Sequence, residues 1–291
     1  MQFPKVYVII VWYNGAKWVQ KNIESLLHSQ LPVHIICIDN CSSDDTVALL
    51  QNYKDQITFI QAPSNLGFGK ANNLGIDLAQ QAQADFVFFL NQDTWIYPET
   101  ISNLVQAAQQ NLDFGIISPI HLGPNETDWD ANFATYAQQQ TGNANTNLIQ
   151  VPFVNAAAWL IPAQALQKVS YFEPLYGHYG EDRNFTDRIA FHHFKIGICT
   201  QAFITHDRVL TRHFKKDCIQ SEYKILSILL NPNLTVKQAK KMAFKNVLGL
   251  PKYFFKYYGA LKSIQLFSIL FIYYFKQLSR WSTLAKARNQ Y

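Results

Sequence analysis

Along the first half of the chain, apolar residues come in short solid runs. Each run is followed by a stretch in which they return every three or four positions. Lys5 to Val11 is such a run, and it predicts a buried strand. Ala16 to Gln30 follows, with Trp18, Ile23, Leu26 and Leu27 on one helical face. His34 to Ile38 predicts a second strand and Ile57 to Gln61 a third. Between them Ser42-Ser43-Asp44-Asp45 caps a helix and sets carboxylates at its positive end. Gly69 to Ala82 predicts a helix and Asp85 to Leu90 a fourth strand. This βαβαβαβ alternation implies an α/β fold with a mostly parallel sheet and helices on both faces.

After a strand at Phe114 to Ser118 the pattern loosens. Leu122 to Asn147 is rich in Asn, Gln, Thr and Gly and predicts a long loop. Order returns at Val151 to Pro162, in a short helix at Ala163 to Val169, and in a helix opening at Glu181 after a loop of Gly, Tyr and His. Met242 to Tyr258 and Leu261 to Phe275 predict amphipathic or apolar helices. Ile264 to Phe275 is too short to span a bilayer. With Lys262 and Lys276 at its flanks it suits a membrane interface. The alternative is packing against the rest of the chain or a second copy in a homo-oligomer.

The 291 residues fit one large α/β domain with an appendage. Charge sharpens that division. From Arg212 onward 15 basic residues meet only Asp217 and Glu222, a net of +13, which leaves −8 on residues 1–211 within the overall +5. A basic aromatic tail attracts an anionic membrane surface or nucleic acid; the membrane surface is expected here, and no nucleic acid. Cys37, Cys41, Cys199 and Cys218 lack zinc-type spacing and read as free thiols in a reducing cytoplasm. Val6 to Val11 is too short for a signal peptide.

Candidate chemistry gathers where strands end. The fourth strand stops at Asn91-Gln92-Asp93, and an exposed carboxylate there suits a divalent cation on a diphosphate; the plain alternative is an Asx turn. Asp39 ends the second strand, placed to accept from a nucleobase imide or a ribose hydroxyl. Asn65-Leu66-Gly67-Phe68-Gly69-Lys70 is a Gly-rich turn into a helix, which favours phosphate. Its spacing fits neither the dinucleotide fingerprint nor the P-loop, and a simple turn explains it equally. Glu181-Asp182 opens a helix, either as dipole-stabilised charge or as a general base kept ionised by Arg183 and Arg188. His206 follows the apolar stretch Ile196 to Ile204. A lone histidine is usually structural, but with Asp93 it makes a second protein ligand to a phosphate-bound metal.

The runs Val8 to Asn14, Ile38 to Thr46, Asn65 to Gly69, Leu90 to Asp93 and Gly180 to Asp182, in this order, resemble the inverting glycosyltransferases of family 2, most closely the bacterial rhamnosyltransferase-like branch. The resemblance covers about residues 5–210. It implies a GT-A fold, a nucleotide-diphosphate sugar donor (dTDP-rhamnose or a UDP-hexose) and Mg²⁺ or Mn²⁺. It assigns Asp39 to the nucleoside and Tyr13, Asn14, Asn65, Gly67, Lys70, Asn91 and Gln92 to the nucleotide sugar. Asp93 and His206 would hold the metal, and Asp182, with Glu181 beside it, would be the base. Tyr176, His178 and Tyr179 would shape the acceptor site. Two departures stand out: Asn91 is neutral where the metal motif usually begins with Asp, and Asn155-Ala156-Ala157 stands where a Gly-Ala pair is usual.

The implied domains are a GT-A catalytic domain at 1–211 and a basic helical tail at 212–291. The former splits into a nucleotide-sugar half at about 1–118 and an acceptor half at about 119–211. The implied activity is sugar transfer to a glycan or lipid-linked saccharide in surface polysaccharide synthesis, at the inner face of the cytoplasmic membrane. Two rivals are a nucleotidyltransferase on a related sheet and a non-enzymatic membrane-bound scaffold. The first normally carries a basic Gly-rich loop after its first strand, where Trp12 to Lys17 has one glycine and one lysine. The second leaves Asp93, Glu181, Asp182 and His206 without a shared purpose.

Overall fold

The computed structural model describes residues 3–141, 147–177, 179–208 and 212–290. Strands β1 (Val6–Trp12), β2 (Val33–Asp39), β3 (Ile57–Gln61) and β4 (Phe86–Leu90) pair in parallel, in the spatial order β3-β2-β1-β4. Helices α1 (Ala16–Leu27), α2 (Thr46–Gln51) and α3 (Phe68–Gln81) make the crossovers. Strand alternation feeds two cores. Val8, Ile10, Trp12, Phe88 and Leu90 turn to one face, where α1 adds Val19, Ile23 and Leu26. Ile9, Val87 and Phe89 turn to the other, against Ala71, Ile76 and Ala79 of α3. Each Val, Leu, Ile or Phe among them, once buried, contributes roughly 1.5–3 kcal/mol.

Beyond β4 the sheet is mixed. β5 (Thr94–Ile96) leads to α4 (Thr100–Gln110) and β6 (Phe114–Leu122). The span expected as one long loop contains α5 (Ala131–Ala137), capped by Asp130, which accepts from Phe133 N. β7 (Leu148–Val151), β8 (Ala158–Pro162), α6 (Ala163–Val169), α7 (Glu181–Phe191) and β9 (Lys195–His206) follow. β8 inserts antiparallel between β4 and β6, and β9 pairs with β6, β5 and β7. The parallel expectation thus describes the β3-β2-β1-β4 half, where helical crossovers force it.

The tail is helical: α8 (Phe214–Leu230), α9 (Val236–Ser279) and α10 (Trp281–Asn289). A capping box of Thr235 and Gln238 starts α9, and Gly259 breaks it with φ 73 and ψ −174, a left-handed φ that favours glycine. These helices share a third core of Ile225, Leu226, Val247, Leu250, Leu266, Leu270 and Leu284. The tail also fastens to the sheet domain. Tyr176 donates to Ser227 Oγ (3.0 Å), Gly177 N to Tyr223 OH (3.0 Å) and Asn233 Nδ2 to Asp187 O (2.7 Å). Packing against the rest of the chain is therefore realised, and α8, which periodicity did not reveal, is the element that achieves it.

Candidate active site

The register aligns Trp12 with Asp39 and Asp39 with Gln61. The loops after β1 to β4 therefore share the carboxyl edge of the sheet, where such folds take ligands. Hydrogen bonds stitch these loops together. Tyr13 N donates to Gln92 Oε1 (2.8 Å), and Gln92 Nε2 returns to Tyr13 O (3.2 Å). Asn14 N donates to Ser42 Oγ (3.0 Å) and Asn14 Oδ1 accepts from Ser43 N (2.8 Å). Asn65 Oδ1 accepts from Asn40 Nδ2 (3.1 Å) and Gly67 N (2.9 Å). Asp39 is buried, and both its oxygens accept from Ser42 N (3.2 and 3.3 Å). Among the residues expected to meet the nucleotide sugar, Gln92, Asn65 and Asp39 thus brace the loops, while Tyr13 and Lys70 are exposed. Gly67 has φ 80, and a Cβ there would collide with the carbonyl oxygen of Gly177. That contact joins the Gly-rich turn to the loop before α7.

Asp93 and His206 are brought together by strand pairing. β5 lies antiparallel to the end of β9 with Thr94 opposite His206, and Asp207 N donates to Asp93 O (2.8 Å). His206 is buried, and its Nε2 lies 3.4 Å from Asp93 Oδ2. Two neighbouring ligands of one cation, each at about 2.1 Å, sit about 3 Å apart, so the pair fits a shared metal. No group of three or more His, Cys, Asp or Glu among the described residues is arranged to hold one. A cation here would take its other ligands from phosphate and water, the usual arrangement for Mg²⁺ on a nucleotide. Asn22, buried in α1, holds the loop from below by donating to the carbonyls of Asn91 (3.1 Å) and Thr94 (2.7 Å). Beside the pair, burial and nearby His206 push His121 well below the ordinary histidine pKa. Burial raises Asp130, but the two-pronged contact from Arg208 (2.7 and 3.0 Å) outweighs it and holds the carboxyl low.

A cavity of 730 Å³ lies against the start of α7 and is lined by Asn91, Asn155, Glu181, Asp182, Arg183 and Lys224, among others. Burial pushes Glu181 up to about 8, with the charge of Asp182 adding to the shift. Its Oε2 and Asn155 Oδ1 are buried without a hydrogen-bond partner. Asp182 is half-buried and also raised by burial; Arg183 and the backbone N–H of Ala156 oppose this by favouring the ionised form. Glu181 is therefore protonated at neutral pH, while Asp182, the less buried of the two, faces the same cavity with Arg183 and the Ala156 N–H partly offsetting the effect of burial, an arrangement suited to one general base. Burial pushes the hydroxyl of Tyr136 of α5 above the usual tyrosine value, and it lies within electrostatic reach of Asp182, Arg208 and Asp130.

Residues 7–170 match the sequence profile of Glycosyl transferase family 2. The chain belongs to glycosyltransferase family 2. Among curated relatives, Poly(ribitol-phosphate) beta-N-acetylglucosaminyltransferase TarS of Staphylococcus aureus is 29% identical over 105 residues, 34% of this chain and 18% of TarS. The succinoglycan biosynthesis protein ExoO of Rhizobium meliloti is 29% identical over 107 residues, 36% of this chain and 30% of ExoO. The chain thus aligns with less than a third of either protein's length. Among solved structures, residues 1–349 of S. aureus TarS superpose with a TM-score of 0.64 at 17% identity, over 93% of this chain and 80% of that one. The mannosyltransferase PcManGT of Pyrobaculum calidifontis, solved with GDP-Man and Mn²⁺, superposes with a TM-score of 0.60 at 12% identity, over 99% and 86%. These likenesses establish the GT-A fold.

Within this family member, the expected site residues separate into groups. Asn91, Tyr179, Glu181 and Asp182 line one cavity, and Asp93 meets His206. Tyr176 is not among the residues that line this cavity: it is buried, its hydroxyl donates to Ser227, and it anchors α8. His178 lies outside the described residues. Sequence reasoning missed Asn22, Tyr136, Gln220 and Lys224. Only the neutral Asn155-Ala156-Ala157 carried a local signal, as a departure from the family pattern. Lys224 and Gln220 come from a helix far along the chain, and no spacing ties them to Asp182.

Proposed function

We propose that the protein is an inverting glycosyltransferase that moves a sugar from a nucleotide-diphosphate sugar to a hydroxyl of a glycan or lipid-linked saccharide. The observation that carries this is the cavity itself. Asp182, at a helix start, shares it with Asn91 of the loop that bears Asp93. A base and a metal-side loop opening on one space are what a displacement at an anomeric carbon requires. Asp182 takes the proton of the acceptor hydroxyl while its oxygen bonds to the anomeric carbon from the face opposite the diphosphate. The bond to the diphosphate breaks, and the nucleoside diphosphate leaves with the electron pair. Mg²⁺ or Mn²⁺, held by Asp93 and His206, supplies positive charge against the leaving diphosphate when bound. Lys70 adds a protein cation for the same charge, and Tyr13 and Asn14 flank the nucleotide. The braced Asp39 turn offers the nucleoside its backbone edge.

Of the two donors the sequence suggests, a UDP-hexose gains support from TarS, whose residues 1–349 have been solved with UDP and with UDP-GlcNAc; dTDP-rhamnose is the second reading. The names of TarS and ExoO favour a role in surface polysaccharide synthesis. A lipid-linked acceptor would place the reaction at the inner face of the cytoplasmic membrane. Residues 1–211 are proposed as the catalytic domain, with α8 of the tail completing its acceptor-side wall. The test is nucleoside diphosphate release from UDP-glucose, UDP-GlcNAc and dTDP-rhamnose, with Mn²⁺ or with EDTA. One donor should turn over in a metal-dependent way. Asp182→Asn should cut turnover about a hundredfold or more while that donor still raises the melting temperature. Unchanged turnover in this variant overturns the base; no thermal shift by any donor overturns the glycosyltransferase reading.

A further inference from the structure

We propose that the outer face of α9 is a docking surface for an anionic lipid bilayer. Gly259 folds this helix into an antiparallel hairpin of two arms, 236–258 and 260–279. Tyr274 OH donates to Lys240 O (3.2 Å), and the Phe244 and Tyr274 rings lie 5.4 Å apart. The inner face is spent on the tail core, through Val247, Leu250, Phe254, Leu266 and Leu270. The outer face is apolar and uncovered. Phe244, Leu248 and Phe255 form a ladder on the first arm; Ile264, Phe271 and Phe275 form one on the second, all exposed. Phe255 and Ile264 wall one shallow groove of 520 Å³ near the turn, so both ladders share a side. Leu261, at the turn, is 86% exposed and Ile272 is 68% exposed. Exposed apolar surface of this extent marks an interaction site.

Charge selects the occupant. Residues 223–291 hold twelve Lys and Arg and not one Asp or Glu. None of Lys241, Lys245, Lys252, Lys256, Lys262 and Lys276 belongs to an ion pair among the described residues. Apolar ladders rimmed by unpaired lysines match the layered chemistry of an anionic membrane, with hydrocarbon beneath phosphate. Nucleic acid would meet the lysines but has no place for Ile264, Leu261 and Leu248. By length and composition α9 could cross a membrane. Yet only thirteen residues separate Lys262 from Lys276, about 20 Å of helix against a hydrocarbon core of about 30 Å. With its inner face committed to the protein, the hairpin lies on the bilayer rather than across it.

The surface also has a route to the catalytic cavity. Gln220 and Lys224 line that cavity and, equally, a groove of 440 Å³ that continues between α8 and α9 to Tyr253 and Phe254. An acceptor whose head reaches Asp182 can therefore run along this groove toward the membrane. This corollary, a lipid-linked acceptor, rests on the glycosyl-transfer reading; the bilayer contact does not.

Co-sedimentation of the full chain with vesicles of phosphatidylcholine, or of phosphatidylcholine with phosphatidylglycerol, tests the contact without any turnover assay. The expected result is pelleting with the anionic vesicles at low salt, release at high salt and no pelleting with the neutral ones. Lys252→Gln with Lys256→Gln should weaken binding about fivefold per lysine, and Phe255→Ser with Ile264→Ser about tenfold or more. These positions are exposed, so thermal melts should match the parent. No pelleting with anionic vesicles at low salt overturns the proposal, as does pelleting that both double variants leave unchanged. A concentration-dependent dimer lost in Phe255→Ser, without vesicle binding, assigns the face to a second copy instead. Binding of a DNA duplex that resists the Phe255 and Ile264 changes, without vesicle binding, assigns it to nucleic acid.

Discussion

Replacing Glu181 by Gln should make the protein more stable, and increasingly so as pH rises. Burial, aided by the neighbouring Asp182 charge, lifts the Glu181 carboxyl to about 8, whereas a glutamate in an unfolded chain titrates near about 4.3. Between these values the folded state holds a proton that the unfolded state has released. Stability from this group is therefore complete below the unfolded value, declines as pH rises and levels off above about 8. At pH 7 the penalty is about 3–4 kcal/mol, from 1.36 kcal/mol per unit of displacement. Glutamine carries no charge at any pH and escapes it. The variant-minus-parent difference in unfolding free energy should be small near pH 4.5, reach that figure at pH 7 and level off at about 5 kcal/mol above pH 8. Urea unfolding of both proteins across this range measures it. Using the difference removes the contribution of Asp187, which burial raises to about 6 in both. A difference independent of pH, or one that turns against the variant at high pH, refutes the buried neutral Glu181. The same variant should keep transfer at neutral pH, because the parent residue is already protonated there. A Glu181→Gln protein as inactive as Asp182→Asn would reverse the assignment of the base.

Asp93→Ala should abolish metal-dependent turnover while His206→Ala raises the Mn²⁺ needed for it; a manganese titration unchanged in both variants would return the pair to a purely structural role. Gly67→Ala should lower the melting temperature, since a left-handed φ costs a side-chain-bearing residue about 1–2 kcal/mol and the new Cβ collides with Gly177 O; an unaltered melt would contradict the close approach of these loops. Tyr176→Phe should cost about 1 kcal/mol through the lost hydrogen bond to Ser227 with no change in acceptor KM, and a raised KM would restore Tyr176 to the acceptor site.

The candidate site residues were legible to different degrees. Carboxylates opening a helix fit its dipole equally well, and only the family resemblance singled out Asp182. Asp93 stood out because a polar residue at the end of a buried strand breaks a local pattern. Gln92, Asn65 and Asp39 stood out for the same reason, yet the structure shows them occupied with loop-to-loop hydrogen bonds. A strand-end polar residue that braces a site and one that touches a ligand look alike in one dimension. Tyr176 carries the same ambiguity: an aromatic next to a candidate motif is equally well an anchor, and its hydroxyl finds Ser227 on a helix that periodicity did not reveal.

The chain by itself determined the βαβαβαβ half, where its strands end and the basic character of the tail. Each rests on interactions between near neighbours: alternating burial along a strand, an amphipathic helix between strands, charges that simply accumulate. Tertiary structure alone decided what joins distant segments. β5, three residues long, is too short for any period to announce and exists because the edge of β9 offers it hydrogen bonds. That pairing sets Asp93 beside His206. α5 hides in a polar stretch because its one fully buried residue, Phe133, finds its core on other elements. The α8 wall of the cavity at Glu181 and Asp182, likewise, forms only when α8 packs on the loop before α7. Local sequence fixes how a segment wants to fold; which segments meet depends on burying faces that no single segment can bury alone.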